Sequence, residues 1–177
     1  MVVVATAVGA LLAVFTKTNR GSAELLVSRQ ALAIAEAMLN EVLAAPFTIC
    51  DPQDATFSGA CTGPSESVVA GGGPEAGETR LGVLPLLRMF DNVNDFNNFS
   101  ISTGAGITDR AGLVVPGSGG YSLTVQVAPV VVAPATWNSI PGDQMLVVTV
   151  SVRSSLMGGP VVLEGMRSRF APRTRPP

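Results

Sequence analysis

The chain opens with two hydrophobic patterns in succession. Met1 to Thr16 carries no charge, and its apolar residues leave no polar face. From Lys17 charges appear, yet a helical repeat persists up to Pro46. Leu25, Leu32 and Leu39 fall one heptad apart, with Ser28, Ala35 and Val42 at the intervening positions. The pattern predicts one near-continuous helix to about Ala45, ended by Pro46. Leu32, Ala35 and Leu39 are its expected contacts with the rest of the fold. Val4, Ala7, Gly9, Leu11, Leu12 and Phe15 mark the all-apolar end as a candidate membrane or assembly helix, where small residues let neighbouring helices approach. Sixteen residues at 1.5 Å each span about 24 Å, short of the roughly 30 Å hydrocarbon core of a bilayer. A buried core helix is the alternative reading of so short a run.

Beyond Pro46 the helical period stops. A turn-rich connector holds the flexible stretch Ala70-Gly71-Gly72-Gly73-Pro74, the short apolar segment Leu81–Phe90 and the Asn/Asp-dense run Asp91–Asn98. Period-two alternation then predicts strands over 121–128, 146–153 and 161–169, with Leu123, Val125, Val148 and Val150 facing the helix. Short connections and half-polar faces imply an antiparallel sheet with one face buried. The expected fold is therefore α+β, a long N-terminal helix packed on an antiparallel sheet of three or more strands. The division is a helical stalk over 1–45 and a globular head over 46–177, itself a connector (46–118) and a sheet (119–177).

Composition narrows the function. Apolar residues make up 47% of the chain and charged ones 14%, a greasy balance for a small soluble protein that fits an anchored one. A net charge of −2 provides no global field for nucleic acid or an acidic surface. Cys50 and Cys61 bracket a loop rich in turn formers, and a disulfide between them would stabilise by roughly 3 kcal/mol in the chain-entropy model. That bridge implies an oxidising compartment. Two buried free thiols are the alternative, and without histidine the pair makes half a zinc site at best.

Catalytic chemistry is thin. With no histidine, general-base duty would fall to a carboxylate, and no pair is spaced in a recognisable way. The expectation is that the protein is not an enzyme and takes no small-molecule substrate. The best candidate site is the Asp91–Asn98 run, where Asp91, Asn94 and Asp95 could supply calcium with oxygen ligands. The plainer reading is a series of Asx-turns anchored by Phe90, Phe96 and Phe99. No other cofactor is expected. The arginine-rich tail from Arg167 to Arg175 could meet phosphates, but one aromatic and a run of prolines favour a solvated terminus.

This ordering of helix, connector, sheet and paired cysteines resembles the type IV pilin-like proteins. Within them it is most similar to the minor pilins of the mannose-sensitive haemagglutinin pilus. The residues carrying the likeness are Gln30–Glu36, Pro46-Phe47, Cys50-Asp51-Pro52, Phe90–Phe96, Leu123–Val127 and Val162-Leu163-Glu164-Gly165. Prepilins begin with a short basic leader, a glycine at the peptidase site and Phe-Thr-Leu-Ile-Glu; Met1-Val2-Val3-Val4 reads like the residues directly after that glutamate. The resemblance implies a structural subunit that primes, caps or helps assemble a pilus or a related secretion pseudopilus through its N-terminal helix. A tip adhesin or DNA-uptake module on such a filament is the alternative. Implied partners are other pilin subunits, the inner membrane before assembly, and the prepilin peptidase and assembly machinery. Implied localisation is the inner membrane of a Gram-negative bacterium with a periplasmic head, then the pilus surface.

Overall fold

Helix α1 runs unbroken from Val2 to Ala44 in the computed structural model, which describes residues 2–48, 72–82, 88–130 and 145–169. Its C-terminal end is tied on three sides. The amide of Ala45 donates to Val42 O, Arg167 Nη2 donates to Ala45 O at 3.3 Å, and the amide of Val93 donates to Pro46 O at 2.9 Å. An arginine on the last carbonyls also suits the negative end of the helix dipole.

The connector contributes a two-residue parallel pair, β1 (Glu78–Thr79) with β2 (Arg88–Met89), and a 3-10 turn over Val93–Phe96. The main sheet is four-stranded and antiparallel, in the order β3 (Ser100–Ile101), β4 (Tyr121–Pro129), β5 (Met145–Ser154) and β6 (Val161–Ser168). The α+β architecture with an N-terminal helix on an antiparallel sheet follows the pattern of the sequence. The three long strands lie within a residue or so of the predicted spans. The short strands β1, β2 and β3 have no alternation long enough to announce them.

Register decides which side chains are inside. Leu123 pairs with Val152, Val125 with Val150 and Val127 with Val148, and all six are buried on the face toward α1. Fully burying each such side chain contributes about 1.5–3 kcal/mol. The helix packs across β5 and β6. Ala31, Ala35, Met38 and Val42 form its buried stripe, at successive steps of four, three and four.

Leu32 departs from expectation. It is 39% exposed, whereas Ala31 beside it is fully buried. The heptad pattern places three leucines in line, but the face that meets the sheet is the one whose small residues let the helix approach closely. One position along a helix turns by about 100°, which carries Leu32 off that face. Ala35 does sit at the interface, and Leu39 is half-buried against the core. Leu39 and Leu43 reach over Gly165 in β6, where a Cβ would stand 2.9 Å from Leu43 Cδ1 and 3.2 Å from Leu39 Cδ1. The glycine is the space those two leucines occupy.

Candidate functional site

Three features of the molecule could carry function, and the first is the free half of α1. Among the described residues, apolar packing against the core begins at Val27. Before it, Val4, Val8, Leu11, Leu12, Val14, Phe15, Leu25 and Leu26 are each 50–69% exposed. Ala7 and Gly9 are exposed among them. Two polar side chains here turn inward on the helix itself: Thr16 Oγ1 donates to Ala13 O and Thr18 Oγ1 to Val14 O, both at 2.9 Å. Their hydroxyls are therefore satisfied without water. Among the described residues no helix is long and apolar enough to cross a membrane. The segment is uncharged as far as Thr16, with Lys17, Arg20 and Glu24 entering beyond it; exposed apolar patches of this kind commonly mark interaction surfaces.

The second feature is a group of carboxylates. Residues Asp91 to Asn98 do not form a loose loop. They build the 3-10 turn, with Asn92, Asn94 and Asp95 fully buried. Asp95 Oδ2 accepts from the amides of Asp91 at 2.9 Å and Asn92 at 2.7 Å. Asn92 Nδ2 donates to Thr48 Oγ1, Asn97 Nδ2 donates to Gly72 O, and Asn97 Oδ1 accepts from the amide of Val127. Phe90, Phe96 and Phe99 meet edge to face, with ring centroids 5.1–6.5 Å apart. The run is thus a polar knot pinned over an aromatic cluster, tying the helix end, the connector and β4 together.

Glu75 and Glu78 approach that knot from the connector. One carboxylate oxygen from each of Glu75, Glu78 and Asp95 lies within 4.8 Å of the other two. Of the predicted trio Asp91, Asn94 and Asp95, Asp95 alone belongs to this grouping. Asp91 stands close enough for its charge to act on both Glu78 and Asp95. Burial pushes the Glu78 carboxyl up to about 7, aided by the hydrogen bond and charge of Glu75 and the charge of Asp91. Burial likewise raises Asp95 to about 7, against the opposing pull of the Asn92 and Asp91 amides. The Pro74-Glu75-Ala76-Gly77-Glu78 stretch offered a signal, since two acids three residues apart in a glycine-containing loop can turn to one point.

The third feature is an open groove of about 820 Å³ beside α1, walled by Ile34, Met38, Phe90, Phe96 and Ile107, with Arg110 at its rim. At its floor Arg80 makes a two-pronged contact with Glu41: Nε donates to Oε1 at 2.8 Å and Nη2 to Oε2 at 2.6 Å. Arg80 Nη1 also donates to Thr108 O, and Arg110 Nη1 donates to Glu41 Oε1 at 3.2 Å. The partners lie far apart in sequence, so no spacing rule links them.

Of the tail, Arg167 holds the helix end and Arg169 stacks 4.9 Å from the Phe47 ring centroid, which leaves these two engaged with the fold. Cys50 and Cys61, and with them the disulfide, lie outside the described residues. Compared with known protein families, with curated proteins and with solved structures, the chain has no match.

Proposed function

We propose that this chain is a minor subunit of a type IV pilin-like filament, working by assembly and not by catalysis. The reading rests on the helix that outruns its own sheet: eight large apolar side chains on residues 4–26 are at least half exposed, and among the described residues none belongs to the head's core. A soluble monomer gains nothing from that surface, whereas a bilayer before assembly and a bundle of like helices afterwards would both cover it. The self-satisfied hydroxyls of Thr16 and Thr18 suit either environment. The α+β head is compatible with the pilin-like ordering of helix, connector and sheet.

On this reading the partners are other pilin subunits, the inner membrane and the prepilin-processing and assembly machinery. The head faces the periplasm and then the cell surface. Cys50 and Cys61 form the disulfide, and the head needs no cofactor for assembly. The test is to place an epitope tag on the β5–β6 turn at Gly158-Gly159, shear surface filaments from the native host and probe them. The tag is expected in the filament fraction at low abundance. A tag found wholly in the soluble fraction, with piliation unaffected by loss of the gene, would overturn the proposal.

A further inference from the structure

We infer that Glu75, Glu78 and Asp95 form a buried site for one hard divalent cation, of the calcium class, that locks the connector onto the 3-10 turn over residues 93–96. The inference stands apart from the filament reading, because every ligand belongs to the head and none touches the free half of α1.

Three carboxylate oxygens from two separate segments converge within 4.8 Å. Glu78 is 7% exposed and Asp95 fully buried. Glu78 Oε1 and Asp95 Oδ1 are buried without a hydrogen-bond partner. Asp95 is not free to turn away, since its other oxygen is held by two backbone amides. Buried carboxylate oxygens left without donors are costly. The charges of Glu75 and Asp91 act on Glu78, and those of Glu78 and Asp91 on Asp95, each opposing ionisation against the pull of the backbone amides. A cation reverses both penalties at once, because it attracts every one of these charges and needs acceptors, not donors. Asn94 Oδ1, in the same turn as Asp95, is a further buried oxygen without a donor.

The donor set favours calcium. It consists of oxygens alone, which excludes the soft metals that prefer thiolate or imidazole. Calcium takes six to eight oxygens in adaptable geometry and accepts bidentate carboxylates, whereas magnesium retains several waters and suits a wetter site. The cation would bridge residues 75–78 to residue 95.

The test uses the full chain in detergent, stripped with EDTA and then given calcium or magnesium chloride. Calcium is expected to raise the melting temperature and to bind at one ion per chain by calorimetry, with magnesium giving a smaller shift. Glu78→Gln keeps the shape of the side chain and removes one charge. It is expected to melt at or above the wild type in EDTA, and to bind calcium at least tenfold more weakly. Glu75→Gln, at the half-buried member, provides the same reading should the first variant misfold. Glu36→Gln, on the exposed side of α1, is expected to match the wild type. No calcium shift in the wild type, equal calcium binding by the wild type and both carboxylate variants, or an equal response to magnesium would each overturn the assignment.

Discussion

Arg80 ties helix α1 to the loop at Thr108 through a single buried guanidinium. It is 6% exposed, and its guanidinium uses Nε, Nη1 and Nη2 on Glu41 and Thr108. Arginine suits the position because its planar fork fits a carboxylate two-pronged, which a lysine ammonium does not. Removing one member of a buried pair leaves the other charge uncompensated, at a cost of about 3–5 kcal/mol. Arg110 remains near Glu41 after the change, which puts the expectation at the lower end. Arg80→Ala should therefore lower unfolding stability in urea by about 3 kcal/mol, and Arg80→Lys should recover only part of it. A loss below about 0.5 kcal/mol would mean that the pair behaves like a surface ion pair.

At the scale of elements, the sheet makes the sharpest test. Val150 faces α1 and is fully buried, while Thr149 faces outward opposite Glu164, with Oγ1 donating to Glu164 Oε1 at 3.3 Å. Val150→Asp should abolish the folded head, whereas Thr149→Lys should keep it and place a cation across from Glu164. Equal tolerance of the two in a circular-dichroism melt would move the register by one residue. The carboxylate cluster gives a second test. Glu78 and Asp95 titrate near 7 in the folded chain, above their ordinary values near about 4. The folded state therefore holds protons that the unfolded chain has released. With metal chelated, stability should be fullest at acid pH and decline as pH rises from about 4 through about 7. Urea melts across that range in EDTA measure the slope, and a stability that rises with pH would contradict it.

These elements also separate what the sequence makes legible from what it does not. Period-two alternation places β4 and β5, whose inward faces carry Leu123, Val125 and Val127 and Leu146, Val148, Val150 and Val152, and the Gly158-Gly159-Pro160 turn marks the start of β6. Leu32 misleads because the heptad rule assumes a helical partner, whereas a sheet selects the alanine face that can come closest. Asp95 is legible as part of a polar run, but its companions Glu75 and Glu78 are not. They reach it only after the connector folds back, and no local period encodes that return. The Arg80–Glu41 contact is hidden for the same reason.

Across the whole molecule, α1 divides into two parts. Residues 27–44 belong to the head, where Ala31, Ala35, Met38 and Val42 complete its core. Among the described residues, none of the large apolar side chains over residues 4–26 joins that core. Cutting the helix at Val27 should leave a head that stays soluble and monomeric in gel filtration, since among the described residues no core side chain precedes Val27. If this projecting half is a surface for other subunits, as proposed, a photo-crosslinking residue at Leu12 will report it. In the native host, irradiation should join the Leu12 probe to the N-terminal helices of other filament subunits, while the same probe at Thr149 should give no such product. A Leu12 probe that yields only uncrosslinked chain in host cells whose filaments are intact would contradict the account.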